Sequence, residues 1–236
     1  MESAEYDLMD AVEARMWWYR ALRHRLLAAL AGVHGRVLDG GCGTGGLLTA
    51  LAPLPGVQPV GLEYAPAAAA RAAAKSGAPV AGGSINALPF ADASFAAAVS
   101  ADVLCHAGVD PPTALAELRR VLAPGGRLVL NMPAYQWLLS AHDRRVHNTR
   151  RVTAGGLRAM LTAAGFARVR VRYWNTLLLP LMIAQRKFLT RDESASDVAA
   201  FPPLLDAMFF AATEIERHLP ALPAGGSVLA IAERPL

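Results

Sequence analysis

The chain has 236 residues, of which 54% are hydrophobic and 18% charged, and its formal net charge is +4. That composition excludes a disordered chain. The longest apolar run, residues 177–184, is short and broken by Pro180, which excludes a membrane span within it. The acidic start, residues 1–10, has no apolar signal segment. Two cysteines, Cys42 and Cys105, make neither a disulfide framework nor a zinc site by themselves. The expectation is one soluble, cytoplasmic, globular domain without a metal.

In chain order, residues 6–31 read as one or two helices. Trp17, Leu22, Leu26, Leu27 and Leu30 recur at helical spacing, and Gly32 and Gly35 stop the segment. Strand and helix then alternate. Strand 36–39 leads through a glycine-rich turn to helix 45–51, strand 58–63 to helix 66–75, and a short strand 79–82 follows. Strand 95–100, helix 112–122 and strand 127–132 continue the pattern. Helix 153–164 is opened by Thr153 as an N-cap and closed by Gly165. Strands 167–173 and 227–233 complete the set. Alternation of this kind predicts an α/β fold: a doubly wound, mainly parallel sheet with helices on both faces.

Two stretches fall outside the alternation. Residues 135–152 read as a long polar loop. Residues 174–226 form an insertion with apolar helical segments at 176–189 and 204–219. An insertion at a sheet's rim builds either a lid over a pocket or additional core. The expected division is a single domain: an N-terminal helical cap (1–32), a core (33–173), an insertion (174–226) and the last strand (227–236).

The segment richest in chemical information is Asp39-Gly40-Gly41-Cys42-Gly43-Thr44-Gly45, a D-x-G-x-G-x-G turn between strand and helix. Glycines let the backbone turn sharply and approach a ligand, and the helix start offers free N–H groups to an anion. A lone glycine-rich turn also suits dinucleotide-binding domains. Its context separates the two. Glu63 ends the second strand, 24 residues after Asp39. Gly83-Ser84-Ile85-Asn86-Ala87-Leu88-Pro89-Phe90 follows the third, Ala101-Asp102 the fourth, and Pro124-Gly125-Gly126 precedes the fifth.

This series resembles the motifs of class I S-adenosylmethionine-dependent methyltransferases (type 11/12-like), and Trp17-Trp18-Tyr19-Arg20 with Ser140-Ala141-His142-Asp143 after Pro133-Ala134-Tyr135 resembles a bacterial subgroup of them. The resemblance covers about residues 36–132 in detail and implies a seven-stranded Rossmann-like sheet. It also implies that the cofactor, S-adenosyl-L-methionine (product S-adenosyl-L-homocysteine), is held by Asp39, Gly40, Gly41, Cys42, Gly43, Gly45, Glu63, Tyr64, Ser84, Ile85, Asn86, Ala101 and Asp102. Glu63, as an ionised carboxylate, can accept both ribose hydroxyls. Ser84 stands where the family often has Asp beside the adenine amino group. Cys105 stands where relatives commonly have Glu, and a buried thiol is read as a small hydrophobe.

The acceptor is expected between the N-terminal helices, the 135–150 loop and the insertion, with Trp18, Tyr19, Tyr135 and His147 as contacts. His142 is the first candidate general base, His106 the second, and Asp143 or Asp102 an orienting carboxylate. Methyl transfer also runs on alignment and desolvation alone, so no base is required by the chemistry. The expected acceptor is a small molecule: an apolar or aromatic natural product, a lipid-linked compound or a sugar derivative. Arginine clusters at 144–151 and 168–172 raise the alternative of an RNA methyltransferase, but there is no N/D-P-P-Y/F signature and little aromatic interleaving. A cofactor-binding member of the fold that does not methylate is the other alternative. Monomer and homodimer both stay open.

Overall fold

The computed structural model describes residues 3–186 and 201–236. Seven strands form one sheet: β1 (Gly35–Gly40), β2 (Val57–Glu63), β3 (Val80–Gly82), β4 (Phe95–Ala101), β5 (Leu122–Pro133), β6 (Ala167–Trp174) and β7 (Ser227–Glu233), in the order β3-β2-β1-β4-β5-β7-β6. β1 to β5 pair in parallel, and β7 runs antiparallel to both β5 and β6. The chain switches direction between β1 and β4, which opens a crevice at the carboxyl ends of those strands.

Nine helices are described: α1 (Ser3–Val12), α2 (Trp17–Ala29), α3 (Gly46–Leu51), α4 (Pro66–Ser76), α5 (Pro111–Val121), α6 (Ala141–Arg145), α7 (Ala154–Ala163), α8 (Leu179–Ala184) and α9 (Pro203–Arg217). Consecutive strand residues supply opposite faces of the sheet. Leu38, Leu128 and Leu130 pack with Leu115, Leu118, Leu157 and Leu161 of α5 and α7. Val37, Val99 and Val129 pack with Leu22 and Leu26 of α2 and Leu51 of α3. Both faces are therefore covered, which explains near-continuous apolar strands in a parallel sheet. Local chemistry fixes the helix ends. Asp110 caps α5 by accepting from Thr113 N at 3.1 Å, and Thr153 caps α7 by accepting from Gly156 N at 3.1 Å. Gly77 ends α4 with φ +69°, a conformation costly for other residues.

Three local expectations change. Strand β5 begins at Leu122 rather than 127, because Leu122 already pairs with Phe95 before the Pro124-Gly125-Gly126 turn shifts the register. The 135–152 stretch is not all loop: it holds a 3-10 turn (Gln136–Leu138) and α6, which opens with a Ser140/Asp143 capping box. The insertion forms α8 and α9, while residues 187–189 of the first expected segment and the start of the stretch that links the two lie outside the described residues. Among the described residues no helix is long and apolar enough to cross a membrane.

Candidate active site

The glycine turn sits at the carboxyl end of β1. Gly41 N and Cys42 N donate to Leu62 O at 2.8 and 2.9 Å, and this tethers the turn to β2. Gly41 and Gly45 hold φ +90° and +93°. A Cβ on Gly41 would stand 2.3 Å from Val103, and one on Gly45 would stand 2.8 Å from the Ala72 backbone. The turn therefore needs glycine at both positions for conformation and for space.

Glu63 is buried and its two oxygens are shared among three donors. Oε2 accepts from Gly43 N at 2.9 Å, and Oε1 accepts from Ala65 N at 2.9 Å and from the Tyr6 hydroxyl at 2.9 Å. Tyr6 belongs to α1, which lies across the turn. Met9 of the same helix reaches Gly43, and Glu13 accepts from Thr44 Oγ1 at 2.8 Å. Ion pairs from Asp7 to Arg71 and from Asp10 and Glu13 to Lys75 fasten α1 and its following turn to α4. Asp39 is buried beneath the turn. Burial, then the negative charges of Glu63 and Glu13, push its carboxyl up to about 7.

A single cavity of about 1360 Å³ runs from this turn to the insertion. Its lining includes Asp39, Gly41, Cys42, Gly43, Glu63, Tyr64, Ser84, Ile85, Ala101 and Asp102 at one end. Trp18, Tyr19, His106, His142, Asp143 and His147 lie further in, and Leu178, Leu181, Met182, Phe201 and Phe209 of the insertion close it. Asp102 holds φ +55° at the end of β4. Its Oδ1 accepts from Asn131 Nδ2 at 2.9 Å, and Asn131 Oδ1 accepts from Trp174 Nε1 at 2.8 Å. Burial raises the Asp102 carboxyl to about 6, against the opposing pull of Asn131 and Arg151. Burial, assisted by His147, lowers His106 and favours its neutral imidazole.

Several expected residues take other places. The Asn86 side chain is engaged with Gly108 O and Asp110 N, both at 3.0 Å, and does not line the cavity. Gly40 and Gly45 also lie outside the lining. Gly40 O accepts from Ser100 Oγ at 3.0 Å, and Gly45 packs on Ala72. Tyr135 is turned away from the cavity, and its ring stacks on Trp137 and Tyr173 with centroids 5.7 and 5.4 Å apart. Asp143 lines the cavity, but both of its oxygens bind Arg151: Arg151 Nη2 lies 2.9 Å from each, and Ser140 N donates to Oδ2 at 2.8 Å. Its place as an orienter of His142 is thus taken by a structural ion pair, and Arg151 is not part of a solvated face. Tyr6, Met9, Glu13, Asn131 and Arg186 join the site without a signal in the sequence, because long-range packing alone brings them there. Among the described residues no cluster of three or more His, Cys, Asp or Glu is arranged to hold a metal.

The sheet order and the crevice above β1 and β4 define the class I methyltransferase fold. Residues 38–130, about two fifths of the chain, match the family described as a methyltransferase domain, and this is the segment whose motifs resemble class I S-adenosylmethionine-dependent methyltransferases. An O-methyltransferase of Aspergillus sclerotiorum (resE) is 40% identical over 111 residues, which is 44% of this chain and 41% of that protein. A 24-methylenesterol C-methyltransferase of Oryza sativa subsp. japonica is 34% identical over 149 residues, 56% of this chain and 40% of that protein. The chain thus spans about two fifths of each of these curated relatives. A crystal structure of geranyl diphosphate C-methyltransferase from Streptomyces coelicolor superposes with a TM-score of 0.64 at 17% identity, covering 92% of this chain and 76% of that one.

Proposed function

We propose that the chain methylates a small, largely apolar acceptor held beside S-adenosylmethionine in the one cavity. The continuity of that cavity carries the reading. About 1360 Å³ exceeds the roughly 300–1,000 Å³ of a site for one drug-sized molecule, so it has room for a cofactor and a second molecule together. Bound S-adenosylmethionine would supply an activated methyl on a sulfonium. The residues present suit it: glycines that leave the turn open, Glu63 as acceptor for ribose hydroxyls, Ser84 and Ile85 toward the adenine, and Asp39 near the ammonium.

The chain's own contribution is alignment in a dry site. Leu178, Met182, Phe201 and Phe209 would hold the apolar body of the acceptor. Trp18, fixed by its stack on Trp174 at 6.1 Å, would form one wall. His142 is the first candidate to take a proton from an acceptor hydroxyl or amine, and His106, kept neutral by burial, the second. Asp102, held by Asn131, would orient the acceptor or the cofactor's ammonium. The named activities of the relatives, on sterol and geranyl diphosphate carbon and on oxygen, are consistent with an apolar acceptor. The burial of Arg151 reduces the basic surface on which a nucleic-acid reading rests.

The test is calorimetry with S-adenosylmethionine and S-adenosylhomocysteine, followed by assay of S-adenosylhomocysteine release with a panel of apolar hydroxyl, amine and enolisable compounds. Micromolar binding and release that depends on an apolar acceptor are expected. A folded chain that binds neither compound would overturn the reading.

A further inference from the structure

Helix α9 is apolar on both sides, because Phe209 and Phe210 already pack inward, and its polar residues are turned inward with them. Asp206 and Thr213 face the protein: Asp206 Oδ1 accepts from Trp17 N at 2.7 Å, and Thr213 is fully buried. Glu216 is buried too and accepts from Thr176 N at 2.7 Å. The remaining acid, Glu214, is bound to Arg217 and His24. The solvent side is apolar as well. Leu204, Met208, Ile215 and Leu219 are 76%, 59%, 60% and 36% exposed. With exposed Ala211 between them, their spacing places all five on one stripe along the helix and its end. A stripe of this kind normally faces a core, so its exposure calls for an occupant.

The charge beside the stripe says which. Strand β6 is the sheet's edge, and Val169, Val171 and Tyr173 pack into the core on the α7 side. Arg168, Arg170 and Arg172 alternate with them and are exposed. Arg170 and Arg172 pair across β7 with Ile231 and Leu229, which belong to the α2 face of the sheet. That is the face α9 covers, and Arg172 Nη2 donates to Leu219 O at 3.2 Å. Arg168 pairs with Glu233. Among the described residues neither Arg170 nor Arg172 has an acidic partner. An apolar helix stripe that runs into a cationic ladder, with the helix's own acids turned inward, matches the interfacial region of an anionic membrane.

We propose that the α9 stripe and the β6 arginines seat the protein on an anionic lipid bilayer. The stripe would enter the acyl boundary, and the arginines would meet lipid phosphates. α9 and α8 also wall the cavity through Leu205, Phe209 and Leu181, and Leu181 is 48% exposed. A seated molecule would therefore draw a membrane-dissolved acceptor between these helices. That last step rests on the acceptor reading above.

The full chain is sedimented with large unilamellar vesicles of phosphatidylcholine containing phosphatidylglycerol, and with phosphatidylcholine alone, at low and high salt. Binding to the anionic vesicles that weakens with salt is expected. Combined Leu204→Ser, Met208→Ser and Ile215→Ser changes, and separately Arg170→Glu with Arg172→Glu, should each lower partitioning roughly ten-fold or more. S-adenosylhomocysteine affinity, read by calorimetry on the same samples, should stay at the unaltered chain's value. This reports an intact fold and keeps failure of the cofactor reading separate from failure of the vesicle result. No binding to anionic vesicles, or binding untouched by both variants, overturns the proposal. So does a concentration-dependent dimer in light scattering that the serine variant dissolves without any vesicle binding, which would assign the stripe to a second copy.

Discussion

Glu63 shows how much of one side chain's hydrogen bonding the fold itself takes up before any ligand arrives. Its oxygens already accept from Gly43 N, Ala65 N and the Tyr6 hydroxyl, and a carboxylate offers about four lone-pair directions. A ribose diol can be admitted only by sharing oxygen with these donors or displacing the Tyr6 hydroxyl, the only one of the three not fixed to the backbone. Replacing Glu63 with Ala should weaken S-adenosylhomocysteine binding by about 1.5–3 kcal/mol, the scale of hydrogen bonds to a charged group. The loss should shrink for analogues without ribose hydroxyls, measured by calorimetry; equal loss for both would assign Glu63 to folding alone. His142 carries a second expectation at this scale. His142→Ala should cut turnover roughly 10²–10⁴-fold with cofactor affinity unchanged, and near-normal turnover would leave alignment as the whole of catalysis. The place of Glu63 beside the glycine turn was legible because strand end and spacing mark it. Tyr6 was not, since no local pattern tells that a tyrosine on the first helix will reach a carboxylate 57 positions away.

Among the elements, α6 is the one whose existence depends most on a single contact. Five residues are too few for a helix to hold by itself. The Ser140/Asp143 capping box starts it, and Arg151 holds Asp143 from beyond its end. Asp143 and Arg151 expose only 1% and 4% of their side chains, so removing one partner strands a buried charge. Arg151→Met should cost about 3–5 kcal/mol in urea unfolding. Arg186, 3.6 Å from the same carboxylate, moves that toward the lower figure. Adding Asp143→Asn should recover part of the loss, because the stranded charge disappears with it; strictly additive losses would mean the two side chains act independently. Both variants should shift His142 and His147, which α6 and its exit present to the cavity, and so reduce turnover more than cofactor binding. A polar, arginine-rich stretch of this length reads as solvated loop from sequence, since a five-residue helix leaves no periodicity. The long alternating elements, by contrast, were legible to within a few residues because burial on both faces of the sheet dictates their composition.

At the scale of the whole molecule, the cavity brings together carboxylates whose charge the fold resists. An unfolded aspartate ionises near about 3.9. Asp39 is raised to about 7 and Asp102 to about 6, so the folded chain binds more protons than the unfolded one between these limits. The part of the stability that these two carboxyls carry should therefore fall as pH rises from about 4 towards 7, and level off above. Asp143 and Glu117 are shifted the other way, but their contribution is lost only as pH drops below the ordinary carboxylate range, so it is constant across this window. His106 is lowered, and its contribution is lost as pH falls below about 6.5. It is common to the wild-type chain and to Asp39→Asn, and the difference between the two isolates Asp39. Between pH 5 and 7 the wild-type chain should lose roughly 2 kcal/mol relative to Asp39→Asn in urea unfolding. A bound sulfonium and ammonium would draw both carboxyls back down, so cofactor binding at pH 6.5 should release protons. Binding enthalpies measured in phosphate and in Tris, whose ionisation heats differ, should then disagree by the heat of the protons released; identical enthalpies would place the cofactor's positive charge away from Asp39 and Asp102.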